Sequence, residues 1–88
     1  MEILFERSFE RDLKKVRDKR LLKQVRNAIQ QVETAAGLSE VTNIKKLQSS
    51  ESYYRIRVGD YRIGIELSQG KVVFVRLLAR KDIYRYFP

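Results

Sequence analysis

The sequence predicts an α+β fold in the order β-α-α-β-β-β. Two N-terminal helices pack on one face of a small antiparallel-rich sheet, and a short helical turn ends the chain. Three observations predict it. Apolar residues between positions 9 and 36 recur at helical spacing. Positions 53–78 instead alternate apolar and polar, the period of a strand. Two short glycine-containing pairs, Gly59-Asp60 and Gln69-Gly70, cut that stretch into three strands as hairpin turns do.

Each element has its own reason. Glu2–Glu6 (EILFE) reads as a short strand. Ser8 is an expected N-cap, with Glu10 and Asp12 in a first turn whose dipole favours acids. Phe9, Leu13 and Val16 then form an apolar stripe, and a break is expected near Asp18-Lys19. A second helix is predicted over 19–36. Leu21, Leu22, Val25, Ala28, Ile29, Val32 and Ala36 line one face of it, while Lys23, Arg26, Gln30 and Glu33 line the other. Gly37 is expected to stop it in the left-handed region. Leu38, Val41, Ile44 and Leu47 are spaced at three, consistent with a helical turn or with loop anchors. Ser49-Ser50-Glu51-Ser52 reads as a loop. Strands are predicted at 53–58, 61–68 and 71–78, and a last helical turn within Lys81–Phe87.

Length and composition bound the function. A chain of 88 residues makes one domain, 1–88, the expected count. It is 43% hydrophobic and 34% charged, a globular balance. Cysteine is absent, which excludes disulfides, thiolate catalysis and cysteine-based zinc sites. Histidine is absent too, removing the usual general base and the commonest metal ligand. No metal or other cofactor is expected. Charge follows Met1-Glu2-Ile3-Leu4 where a signal peptide would have its apolar region, and no apolar run is long enough to span a membrane. The cytoplasm is the expected location.

The net charge is +8, and its distribution is informative. Residues 52–88 carry eight Lys/Arg against three Asp/Glu. Arg55 and Arg57 share one strand face, Arg62 follows on the next strand, and Arg76 and Arg80 lie on or just past the third. Opposite that face the same strands are apolar, so the expected sheet has one dry face and one exposed basic face. Interleaved Arg, Tyr and Phe fit nucleic acid, because guanidinium forks match phosphate and aromatic rings stack on bases. Solubility and an anionic membrane surface are the alternatives. Singly, the residues are weak evidence. Arg76 can pair with Glu66 across a hairpin, Tyr53 and Tyr84 can be half-buried aromatics, and Lys45 and Lys46 can be merely solvated.

The string Tyr54-Arg55-Ile56-Arg57-Val58-Gly59-Asp60-Tyr61-Arg62-Ile63 resembles the central hairpin of the RelE/ParE toxin superfamily. So do the closing Arg80-Lys81-Asp82-Ile83-Tyr84-Arg85 and the upstream Ile44-Lys45-Lys46-Leu47. The likeness covers nearly the whole chain and is closer to the RelE branch. It implies a RelE-like toxin of a type II toxin–antitoxin system, with a cognate antitoxin. It also implies an endoribonuclease that enters the A site of the small ribosomal subunit and cleaves mRNA there without a metal, by attack of the 2′-hydroxyl. By the likeness, Arg62 and Arg80 hold the scissile phosphate. Arg55 and Arg57 bind phosphates or help with proton transfer, and Tyr84 orients or stacks on a base. Lys45, Lys46 and Arg76 are further expected nucleic-acid contacts. Lys14, Lys15, Lys23 and Arg26 on the helices are expected to meet ribosomal RNA.

One position departs from the pattern. Many relatives read HRKD in this tail, whereas this chain reads Ala79-Arg80-Lys81-Asp82. A histidine there is a natural general acid or base, so Ala79 belongs with the expected catalytic positions. Its identity leaves a weaker enzyme, a different proton donor or an engineered inactivating alanine. The competing functional readings are a ParE-like inhibitor that docks on DNA gyrase without cleaving nucleic acid, and a catalytically silent RNA-binding relative.

Overall fold

The computed structural model describes residues 1–48 and 52–88. Positions 49–51, expected to lie in a loop, fall outside the described residues. The elements are β1 (Ile3–Phe5), α1 (Arg7–Lys14), α2 (Lys19–Thr34), a 3₁₀ turn (Leu38–Glu40), β2 (Ile44–Lys46), β3 (Tyr53–Val58), β4 (Tyr61–Ser68), β5 (Lys71–Ala79) and α3 (Ile83–Tyr86). The strands form one sheet in the order β1-β5-β4-β3-β2. β1 runs parallel to β5, and every other neighbouring pair is antiparallel. The predicted architecture is therefore present, with one addition. The stretch after Gly37 supplies the helical turn that is one of its two readings, as a 3₁₀ turn, and adds the short edge strand β2.

The hairpin turns follow from backbone chemistry. Gln69 and Gly70 both have positive φ, as a two-residue turn matched to strand twist requires. At the other turn Gly59 takes φ of 59°, at which a side chain would be strained.

The helices cover one face of the sheet. Phe9, Val25, Val32, Ile56, Ile63, Ile65, Val72 and Phe74 are almost wholly buried between them. Phe74 meets Phe9 edge-on at 5.5 Å, a favoured aromatic geometry. Asp18 starts α2 at the predicted break. Its Oδ1 accepts hydrogen bonds from the backbone N–H of Arg20 at 2.9 Å and of Leu21 at 3.3 Å.

Ser8 does not cap α1, although its residue type favours that role. The cap position is Glu6, and the Ser8 hydroxyl donates to the carbonyl of Val75 at 2.6 Å instead. One turn further along, the buried Asp12 accepts from Arg76 Nε at 2.8 Å, from Arg76 Nη2 at 3.2 Å and from the Leu77 N–H at 2.9 Å. These bonds hold a bulge. Gly64 pairs with Arg76 but the next residue, Ile65, pairs with Phe74, leaving Val75 extra on β5. The bulge lets Phe74 and Leu77 both enter the helix-side core and turns Val75 and Leu78 to the other face.

Gly37 is also not where its type suggested. Its φ is −162°, extended rather than left-handed, and α2 has already ended at Thr34, with Ala35 as its C-cap. Ala35 rather than Ala36 is buried against the core.

Candidate functional site

The face of the sheet away from α1 and α2 is only partly open. The expectation of a wholly exposed basic face needs correcting. Ile83 and Phe87 fold the end of the chain back over it and join Leu47 in a second buried cluster. Tyr53, Val75 and Leu78 flank that cluster. Phe87 sits directly on Gly64, where a β-carbon would lie only 2.7 Å from the ring. A glycine in mid-strand normally weakens a sheet; here it makes room for an aromatic plug.

Toward the β3–β4 turn that face carries arginines. Arg57 and Arg62 lie opposite each other in register across β3 and β4, a like-charge arrangement that costs stability. Arg62 is 9% exposed, far more covered than a solvated surface arginine. Its Nη1 donates to the carbonyls of Tyr61 at 2.9 Å and Gly59 at 3.0 Å, which hold the fork against the β3–β4 turn. Burial, and then Arg55, Arg80 and Arg57, hold the Arg62 guanidinium below the ordinary arginine value, while Tyr84 pulls it upward. Arginine still stays charged at neutral pH.

Two residues fix the flanking forks. Arg55 Nε donates to the Tyr84 hydroxyl at 3.3 Å, and Arg55 Nη1 donates to the carbonyl of Asn43 at 3.4 Å. Arg57 Nη2 donates to Asn43 Oδ1 at 3.2 Å. Asn43 adopts φ of 61°, a conformation that asparagine tolerates better than most residues. Arg80 leaves the end of β5, where its N–H donates to the Asp60 carbonyl at 2.8 Å. Among the described residues none of Arg55, Arg57, Arg62 and Arg80 forms an ion pair with a carboxylate. Three positive forks held by neutral acceptors, with the Arg80 cation beside them, leave their field for an external anion.

Thus Arg55, Arg57, Arg62, Arg80 and Tyr84 come together. Tyr84 stays 64% exposed on α3, so its ring face is open for stacking. Lys45 lies opposite Arg55 in the sheet register. With Lys46, Leu47, Tyr84 and Phe87 it lines a hollow of about 440 Å³ beside the arginines.

Other predicted residues lie elsewhere. Arg76 does not pair with Glu66, because Glu66 faces Val73 in the register and Arg76 sits at the bulge. It is held by Asp12, whose hydrogen bond raises the Arg76 value more than burial lowers it. Arg76 is therefore committed to structure. Lys14, Lys15, Lys23 and Arg26 are exposed on or beside the helices, across the sheet from the arginine cluster.

Ala79 pairs with Tyr61, and Arg62 pairs with Leu78. Tyr61 packs against the helix-side core and Leu78 against the opposite cluster. Strand alternation therefore gives Ala79 the side of Tyr61, not that of Arg62. Sequence reasoning missed Asn43, Gly64 and Phe87. An asparagine just before a basic strand was a readable signal for the first; nothing local signals the contact between the other two.

Comparison with known proteins gives the family and the fold. The family described as "ParE toxin of type II toxin-antitoxin system, parDE" matches residues 3–84. Toxin RelE3 of Methanocaldococcus jannaschii is 42% identical over 89 aligned positions, covering 100% of both chains. The toxin fold also matches a RelB-RelE antitoxin–toxin complex from Methanococcus jannaschii. That match has 41% identity and a TM-score of 0.79, covering 97% of this chain and 99% of that one. A YoeB dimer from Staphylococcus aureus matches with a TM-score of 0.70 at 18% identity, over 89% of this chain and 94% of that one, a likeness of fold alone. The small basic sheet with its arginine face is thus that of a type II toxin–antitoxin toxin. The chain belongs to the RelE/ParE toxin family.

Proposed function

We propose that this toxin is a ribosome-dependent endoribonuclease that cleaves mRNA in the A site of the small subunit. The observation that carries the reading is the convergence of Arg55, Arg57, Arg62 and Arg80 with no carboxylate partner among the described residues. Such a cluster suits a phosphorane, which carries more negative charge than the phosphate it comes from. Preorganised donors aimed at developing charge are often the largest catalytic contribution.

In the proposed reaction the 2′-oxygen attacks the adjacent phosphorus and loses its proton. The bond from phosphorus to the 5′-oxygen breaks, and that oxygen gains a proton. The products are a 2′,3′-cyclic phosphate and a 5′-hydroxyl end. Arg62 and Arg80 hold the scissile phosphate. Arg62 is the more rigid of the two because the turn carbonyls fix it. Arg55 and Arg57 bind flanking phosphate oxygens, and Tyr84 stacks on or orients a base. The exposed cations Lys14, Lys15, Lys23 and Arg26 meet ribosomal RNA phosphates, which makes docking salt-dependent. A cognate antitoxin partners the toxin, as in the RelB-RelE complex it resembles.

Primer extension on a translated mRNA tests this. Cleavage within codons on ribosomes, lost in Arg62→Ala, is the expected result. The ParE description of the matching family favours a second reading, a DNA gyrase inhibitor. Intact mRNA together with gyrase-linked cleaved DNA would establish that reading instead.

A further inference from the structure

A second concave surface opens on the helix side of the sheet, between α2 and the outer edge of β3, and meets the arginine cluster at Arg57. It encloses about 590 Å³, within the range of small-ligand sites. Its wall is unusual for so basic a protein. Gln24, Asn27 and Gln31 from α2 face Asn43 across it, over a floor that includes Ala28 and Ile56. Among the described residues no Asp or Glu lines it, and Arg57 is the only charged one that does. Positions 24, 27 and 31 fall on one helical face, so the carboxamides form a stripe rather than a scatter. None of these glutamines or Asn27 has been given a part in the site described above.

We propose that this groove is a subsite for an unpaired nucleobase whose neighbouring phosphate rests on Arg57. The inference rests on the nucleic-acid reading of the arginine cluster and extends it. A base presents two apolar faces and an edge of neutral donors and acceptors. The groove offers an apolar floor and a rim of side chains that each donate and accept. Carboxamides pair with base edges in two-point contacts, while carboxylates would repel the attached phosphate.

The groove is also built into the phosphate site. Asn43 lines it and holds Arg57 through Oδ1. Gln31 Oε1 accepts from the Thr42 hydroxyl at 3.2 Å and from its N–H at 3.4 Å, tying the loop to α2 and closing one end. An extended peptide fits less well. The N–H of Arg57 already donates to the Asn43 carbonyl at 2.9 Å, so that stretch of strand edge is filled.

The test uses the full chain and short labelled oligoribonucleotides with 2′-O-methyl groups, which block cleavage, read by fluorescence anisotropy at low salt. A matched oligomer keeps every phosphate but has an abasic site at one position. The variant is Gln24→Ala with Asn27→Ala, both at exposed helix positions where alanine favours the fold. Thermal melting checks that it is folded.

The wild-type chain should bind at least one placement of the base about 5–30-fold more tightly than the abasic oligomer. The variant should lose that preference while binding the abasic oligomer as before. Equal wild-type affinity for base and abasic oligomers at every placement, or no measurable binding, would overturn the inference. So would a preference that survives in the variant, which would assign base contact to Tyr84. If the variant instead loses only affinity for the antitoxin, the groove is a protein-docking surface and the inference fails. Arg55→Ala with Arg62→Ala separates the two readings. If it binds all oligomers as the wild type does, the phosphate site itself is wrong. If it loses them all while the groove variant loses nothing, only the groove is wrong.

Discussion

The two faces of the sheet solve opposite problems. Against α1 and α2 the strands bury a continuous apolar core. At its border the buried Asp12 is paired with Arg76. On the other face, like charges stand in register and a largely covered arginine is held by carbonyls alone. Charge is balanced by an internal partner on the first face, and on the second the arginines meet only neutral acceptors. The second face also carries its own small apolar cluster, which pins α3 beside the arginines. That cluster contributes little area, but it decides where Tyr84 sits.

The largest effect expected from breaking this contrast is on activity. Arg62→Ala removes the most fixed donor of the arginine face. Losing one such donor costs about 2.7–4 kcal/mol of transition-state stabilisation, roughly 10²–10³-fold in rate. Stability should change little, because the loss of two hydrogen bonds is offset by relief of repulsion from Arg55, Arg80 and Arg57. Single-turnover cleavage on programmed ribosomes, beside a urea melt, measures both. A drop in stability as large as the drop in rate would mark Arg62 as structural.

On the other face the same kind of deletion should act in the reverse sense. Asp12→Ala strips the bulge of its acceptor and leaves Arg76 and the Leu77 N–H without their carboxylate. Removing one partner of a buried ion pair costs about 3–5 kcal/mol, and Arg76's partial exposure puts this case at the lower end. The urea midpoint should fall sharply. Cleavage per folded molecule should not.

Gly64→Ala sharpens the comparison at the contact between faces. The added β-carbon meets the Phe87 ring, so the ring must shift, and overpacking of this kind costs about 1–3 kcal/mol. Because Phe87 and Ile83 anchor α3, Tyr84 should shift with them, and substrate affinity should weaken more than stability predicts. A double-mutant cycle checks the cause. In a Phe87→Ala background, Gly64→Ala should cost almost nothing more. Additive costs would mean that strand propensity, not the plug, explains the glycine.

The legible part of the molecule was the part governed by local periodicity. Alternation located all three long strands, the 3.6-residue stripe located both helices, and the expected break fell at Asp18, which proved to be the cap of α2. Ser8 and Asp12 misled because their local roles, as cap and as first-turn acid, are weaker than what the fold offers them across 60 or more residues of chain: Val75, Arg76 and Leu77. The arginines were found because a charged residue on an alternating strand declares its face. The cover over that face was not found, since Phe87 and Gly64 look unremarkable until the chain folds back. Asn43 was missed because its value lies in a backbone conformation, not in a motif.

The smallest expected effect concerns Ala79, where sequence resemblance and strand geometry point in different directions. Resemblance places a histidine there and gives it proton transfer, which typically contributes about 10²–10⁴-fold. The pairing of Ala79 with Tyr61 turns its β-carbon toward the helix side, whereas Arg62 and Leu78 share the opposite side. An imidazole at position 79 would have to pass around the end of β5 to reach a phosphate held by Arg62. Ala79→His should therefore raise the cleavage rate by less than about tenfold and leave the Arg62→Ala defect in place. Ribosome-bound cleavage measured across pH 5.5–8.5 checks this. A hundredfold gain with a midpoint near the imidazole value of about 6.5 would show that the last residue of β5 turns over on the ribosome and delivers its side chain to the arginine face. A flat profile would leave proton transfer to groups already there, with the Tyr84 hydroxyl, in contact with Arg55, the best placed.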